Sequence, residues 1–377
     1  MANPHSWRRV VAWALLLALS LGALTGCWDD KSLDTRTLVL AMGFYPARQP
    51  GEVAVYFAVP TPAGLTSDSG SSSSGGASGP PLIILQGVGH SIGQAFSAAQ
   101  ASTNRDLYLG HTVFLLFSTK LSPFMLRRLV NALDRIGTLD KTPFVAATSA
   151  PFAAVLGTIP QEHFPPLYYE ELFSCTTCQQ LMLGVRFWQM SDRLWTPGVD
   201  LVLPVLKPTR QGPAVDEVAL YRNTRYVATL TPKETTAYGI AAGRSRKTSL
   251  FFPRLWDANL DFVADKARVS TEVVHGRLQA TLAIHATATL ESIATATETA
   301  GQVARISRRA ARLLADEAAA FVRLSQRDDV DALGFGRALA WAQPQVFARY
   351  RHWHRVYPHL TVAVRASITV NRLGDLR

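Results

Sequence analysis

The chain has 377 residues, 48% hydrophobic and 18% charged, with a formal net charge of +10 and three cysteines. That composition is globular; it excludes a disordered chain and a disulfide-dense scaffold. The positive excess points to anionic lipid head groups or acidic wall polymers. No nucleic acid partner is expected, because the basic residues form no dense run with interleaved aromatics.

Arg8 and Arg9 open the chain, and Val10–Leu24 follows without a charge. This run has signal-peptide length and falls short of the ~20 residues that span a bilayer. It closes on Leu24-Thr25-Gly26-Cys27, the bacterial lipobox pattern of a small residue, a glycine and then a cysteine at the cleavage point. Residues 1–26 are therefore expected to leave, and the Cys27 thiol to carry a diacylglycerol. The alternative is an ordinary secretory signal with a chance cysteine. Two or three acyl chains hold far better than one, since each buried CH₂ adds about 0.8 kcal/mol. The mature chain would have 351 residues and a charge near +8, outside the cytoplasmic membrane and tethered to it. That length suggests two or three domains.

Trp28–Thr37 reads as a polar spacer. Leu38–Phe44 and Val53–Val59 read as strands, the second with Val53, Val55, Phe57 and Val59 on one side. Tyr45–Gly51 between them suits a hairpin turn. The Ser/Gly run 64–80 cannot bury enough apolar surface to order itself. Too few residues precede it for a domain, so a flexible loop within one domain is expected. Leu82–Leu85 is a strand, Ser91 can cap a helix over Ile92–Ser102, and Val113–Ser118 is a strand entered through Leu109-Gly110-His111. Pro123–Ile136 has helical spacing and Phe144–Ala147 is a short strand. Residues 27–197 thus form a mixed α/β domain, with 158–200 passing over its surface as a helix plus loops.

Cys175 and Cys178 form a lone C-x-x-C. A local disulfide or inert thiols, half a zinc site, and a redox pair all remain open. Zinc would need two further ligands, and a thioredoxin-like pair a βαβ context. Val199–Leu206, Val215–Tyr221 and Tyr226–Leu230 suggest a small middle domain, 198–265. In its basic stretch Arg244, Arg246 and Lys247 could bind an anion or form a solvated turn.

Residues 266–377 carry the clearest pattern. Leu278–Leu290 alternates strictly, as a long half-buried strand does. Val303, Ile306, Ala310, Leu313, Leu314, Phe321 and Leu324 mark one face of a helix over Gly301–Gln326. Arg305, Arg308, Arg309 and Arg312 lie on its other face, either solvated or against lipid or an acidic partner. A second helix is expected over Ala338–Val356, ended by Pro358. Leu360–Val370 alternates again. The order β–α–α–β predicts a mainly antiparallel sheet with helices packed on one face, an α+β fold.

No catalytic signature is present: no G-x-S-x-G, P-loop, H-E-x-x-H or dinucleotide fingerprint. Gly334-Phe335-Gly336 reads as a corner between helices. His352 and His354, two apart, point in different directions on a helix. Asp29-Asp30 and Asp328-Asp329 read as spacer and helix end. No enzyme, cofactor or metal site is therefore expected, apart from covalent acyl lipid on Cys27.

Four segments together resemble the Ger(x)C family, the lipoprotein C subunits of spore nutrient-germinant receptors. The first is Gly26-Cys27-Trp28-Asp29 with Leu33 and the strand Leu38–Gly43, where Ser32 stands in place of the usual glutamate. The second is Leu107-Tyr108-Leu109-Gly110-His111, with Arg135 after the next helix. The third is Ala219-Leu220-Tyr221 to Leu230-Thr231, then Glu234 and Gly239. The fourth and most specific is Asp331-Ala332-Leu333-Gly334-Phe335-Gly336, then Pro344, Trp353, Pro358 and the last strand. The Ser/Gly run and the Cys175/Cys178 pair depart from the family pattern.

The resemblance implies three mixed α/β domains and a non-catalytic subunit lipid-anchored outside the cytoplasmic membrane, in spores the inner spore membrane. It also implies two integral-membrane partners, the A and B subunits. Two other readings compete. A solute-binding lipoprotein of a transporter would show two lobes with parallel sheets, against the alternating strands at 278–290 and 360–370. A wall hydrolase would need a carboxylate or zinc constellation that the sequence does not place.

Overall fold

A computed structural model describes residues 7, 13–14, 35–61, 82–159, 165–175, 184–293, 299–350 and 352–371. Cys27, Trp28, Asp29, the Ser/Gly run 64–80 and Cys178 lie outside the described residues, as does nearly all of the expected signal segment.

The chain opens with β1 (Arg36–Leu38), β2 (Ala41–Pro46), β3 (Val53–Pro60) and β4 (Leu82–Gly89). β2 and β3 form the expected hairpin, with Ala41 opposite Ala58. Val53, Val55, Phe57 and Val59 all enter one core, as period-2 alternation requires. α1 (Ile92–Gln100) starts where the Ser91 side chain accepts the Gln94 N–H. It lies so close to β4 that a Cβ on Gly87 would sit 1.7 Å from the Ala95 carbonyl oxygen. β5 (Asp106–Tyr108) pairs in parallel with β1, which explains why the expected strand from Leu38 is two strands.

β6 (Phe114–Ser118), α2 (Pro123–Arg135), β7 (Phe144–Thr148), α3 (Phe152–Leu156), α4 (Pro165–Ser174), β8 (Val185–Arg186) and α5 (Phe187–Trp195) follow. Every residue of β6 and β7 is buried, because helices cover both faces. Leu115 and Phe117 face α1, α2 and α5, while Phe114 and Leu116 face α3 and α4. The stretch from 158, expected on the surface, instead contributes Tyr169, Phe173 and Phe187 to the interior. The Tyr169 ring stacks on Phe114 and the Phe173 ring lies tilted against Phe144, while Trp188 and Trp195 stay exposed.

β9 (Val202–Thr209), β10 (Gly212–Arg222) and β11 (Arg225–Leu230) then extend this first sheet. Its order is β11-β10-β9-β7-β6-β2-β3-β4, with β8 on β7. The centre is parallel (β2, β6, β7, β9) and both flanks are antiparallel. α6 (Pro232–Ala241), β12 (Ser245–Phe252) and β13 (Ala258–Val274) belong to the second half. The segment 198–265 therefore has no sheet of its own. The cause lies in its alternation: Leu203, Val205, Ala219 and Tyr221 face the first core, and Val202, Val218 and Leu220 face the last.

β14 (Arg277–Ser292), α7 (Ala300–Arg327), α8 (Phe335–Ala342), α9 (Pro344–Phe347), α10 (Trp353–Val356) and β15 (Thr361–Asn371) complete the chain. β13 and β14 form a long hairpin whose two turn residues, His275 and Gly276, have φ of 50° and 77°, the left-handed pair that tight hairpins need. α7 begins at a capping box of Thr299 and Gln302 and buries Ile306, Ala310, Leu314 and Phe321. Arg305, Arg308, Arg309 and Arg312 are exposed. Because α7 returns the chain, β15 runs parallel to β14, while β12-β13-β14 is antiparallel. The fold is α+β, with this mainly antiparallel sheet packed against helices. The helix expected over Ala338–Val356 is three short helices and a 3₁₀ turn, because Pro344 has no N–H to continue α8.

Candidate functional site

α7 caps at Asp328, and Asp329 takes φ 52°, reversing the chain. Asp331 is completely buried just beyond. Its Oδ1 accepts the N–H groups of Gly334 (2.7 Å) and Phe335 (3.0 Å). Its Oδ2 accepts the Gly336 N–H (2.9 Å) and the Trp353 indole N–H (2.9 Å). A carboxylate offers about four lone-pair sites, and here N–H donors fill them all. Asp331 thus caps α8 and ties it to α10. As a carboxylate it has no lone pair left to bind a metal.

A second carboxylate is stacked against this one. Asp200 Oδ2 accepts the Asp331 N–H (2.7 Å), its Oδ1 accepts the Asn223 N–H (2.7 Å), and its own N–H donates to the Asp331 carbonyl (2.9 Å). Arg193 of α5 donates to the carbonyls of Asp200 (2.9 Å) and Ala332 (3.0 Å). His354 stands 3.6 Å from Asp200 and 3.3 Å from Asp329, which also pairs with Arg222 at 2.8 Å. The backbones touch where Gly198 meets Gly336. Gly198 has φ 75°, and a Cβ there would fall 2.3 Å from the Gly336 carbonyl carbon. A Cβ on Gly336 would meet the Trp353 ring at 2.6 Å. Only glycine permits this approach between the loop after α5 and the start of α8.

Burial pushes the Asp331 carboxyl up to about 6, against the pull of the N–H groups of Gly336, Phe335 and the Trp353 indole. Burial raises Asp200 as well, with His354 opposing. The Tyr357 hydroxyl is driven well above its ordinary value by burial and then by the Asp331 charge; it meets Ser325 at 2.5 Å. Two cavities flank the cluster. One of 430 Å³ reaches Asp200, Asn223, Trp353 and His354; one of 640 Å³ reaches Arg193 and Gly334. Among the described residues, no group of three or more His, Cys, Asp or Glu side chains could hold a metal.

Two family models match in chain order: "Spore germination protein N-terminal domain" over residues 29–208, and "Spore germination B3/ GerAC like, C-terminal" over 216–374. The chain belongs to the Ger(x)C family of spore germination proteins. The boundary between the two models falls near the β9–β10 turn, inside the continuous first sheet. This Ger(x)C chain is 27% identical over 109 residues to "Spore germination protein KC" of Bacillus subtilis (strain 168). That match spans 29% of this chain and only 26% of the relative. Its fold is similar to the crystal structure of the GerBC protein, with TM-score 0.54 and 12% identity over 89% of this chain and 99% of the other.

Of the residues quoted for the Ger(x)C resemblance, Asp331, Gly334, Gly336 and Trp353 come together in one hydrogen-bonded corner. Gly110 and His111 do not join them. They form the turn before β6, where a Cβ on Gly110 would strike the Tyr108 ring at 2.6 Å, and His111 lies edge-on to that ring. Cys175 follows α4 and is disulfide-bonded. Among the described residues no helix is long and apolar enough to cross a membrane. Sequence reasoning missed Asp200, Arg193 and Gly198, which complete the cluster from the other half of the chain.

Proposed function

We propose that this chain is the lipid-anchored C subunit of a nutrient-germinant receptor, required for nutrient-triggered spore germination. It acts without catalysis, as an assembly and sensing subunit beside the integral-membrane A and B subunits. The observation that carries this reading is the ordered match of both germination-family models across nearly the whole mature chain. The lipobox ending at Cys27 supports a diacylglycerol anchor on the outer face of the cytoplasmic membrane, in spores the inner spore membrane. The four N–H donors that fill the Asp331 carboxylate support a structural rather than a chemical role for the most buried polar cluster.

The test is nutrient-triggered dipicolinate release from spores of a deletion strain carrying either the wild-type chain or Cys27→Ala. Loss on deletion, restored by wild type alone, is the expected result. Full rescue by a Cys27→Ala chain that fractionates as a soluble protein would overturn the anchor. Unchanged release on deletion from a strain with no second receptor would overturn the germinant role.

A further inference from the structure

The 640 Å³ cavity lies between α8, β13 and the end of α6, and three arginines line it: Arg193, Arg244 and Arg337. Among the described residues no carboxylate lines it. Arg193 gives its hydrogen bonds to two backbone carbonyls, so its charge meets no acid there. Arg244 pairs with no carboxylate among the described residues. Among the described residues Arg337 forms one ion pair, with Asp192 at 3.7 Å, whose side chain is 47% exposed. After burial, Arg193 makes the Arg337 charge less favourable, Asp192 and then Asp331 support it, and Arg244 opposes it last. Like charges gathered around a concavity raise its positive potential and draw in a counter-anion.

The rest of the lining is mixed. Val269 and Ala338 give an apolar wall, and the exposed Trp341 ring lies 5.1 Å from the Arg337 guanidinium at the rim. Planar guanidinium forks match the two oxygens of a carboxylate or phosphate. The volume falls in the range of small-molecule sites, roughly 300–1,000 Å³. We propose that this cavity binds a small soluble oxyanion, a carboxylate or phosphate compound with a short apolar body, held by Arg193, Arg244 and Arg337. This site goes beyond the receptor-subunit reading and does not depend on it.

The test is calorimetric titration of the full chain in detergent with inorganic phosphate and with glutarate, at ionic strength held constant with chloride. Wild type should bind at least one probe saturably. Arg244→Gln should weaken that binding about tenfold or more, the loss of one charge-assisted pair. Its melting temperature without the probe should not fall, because among the described residues the Arg244 head group pairs with no other side chain, and its loss relieves repulsion on Arg337. Arg244→Lys, which keeps the charge and loses the fork, should fall between the two. Three results would overturn the site: no saturable binding of either anion, equal binding by Arg244→Gln, or Arg244-dependent binding to phosphatidylglycerol vesicles alone.

Discussion

Four N–H groups converge on Asp331, and leaving a buried donor unpaired costs about 1–3 kcal/mol each. Asp331→Asn keeps the shape but offers one acceptor oxygen in place of two. Its pH dependence is the sharper test. Asp331 is raised to about 6 and Asp200 is raised too, so between roughly pH 4 and 6 the folded chain holds protons that the unfolded chain has released. The stability that Asp331 gives is therefore fully present below about pH 4 and is lost as pH rises through 6, and Asp200 acts in the same direction. For Asp331 alone the span is on the order of 3 kcal/mol. Urea unfolding at a series of pH values should show the wild-type advantage over Asp331→Asn shrinking as pH climbs through 6. A constant difference would mean that Asp331 does not titrate there. The sequence singled out Asp331, Gly334, Gly336 and Trp353 through one motif because they lie within 22 residues of one another. Asp200 is 131 residues from the N–H it accepts, and no spacing rule reaches that far.

Elements were legible where one pattern controlled them. The alternation of β14 and the helical spacing of α7 survive intact, because each has one face on a core and the other on solvent. The segment after α8 was misread as one helix because its apolar residues kept a helical spacing through Pro344, whose missing N–H decides the break. The middle strands were misassigned for a different reason: both of their faces are apolar, and pattern alone cannot tell which core claims which face. The junction between α8 and the loop after α5 depends on glycine. Gly336→Ala would place a methyl group 2.7 Å from the Gly198 Cα as well as against Trp353, and Gly336→Val more. Gly336→Ala should cost about 2 kcal/mol, and the β-branched change more still, read as a fall in the urea midpoint. Gly301→Ala on α7, where a Cβ meets nothing within 4 Å, is the control and should be neutral or stabilising by a few tenths. Equal behaviour of the two alanine variants would rule out the close approach.

Two devices join the halves of the whole molecule, and they differ in strength. One is the polar lock of Asp200, Asp331 and Arg193. The other is the set of strands β9–β11, which send Leu203 and Tyr221 into one core and Val202 and Leu220 into the other. Burial of a Leu or Val side chain contributes about 1.5–3 kcal/mol each, and a strand apolar on both faces cannot leave either core without exposing the other. The shared strands should therefore dominate cooperativity. Asp331→Ala is expected to lower the melting temperature while leaving a single transition. In native-state hydrogen exchange its amides at Gly334–Gly336 should lose protection, and those of β6 and β7 should stay slow. A melt that splits into two transitions would show instead that the carboxylate lock carries the coupling, and that the sheet shared by the two family models is the weaker link.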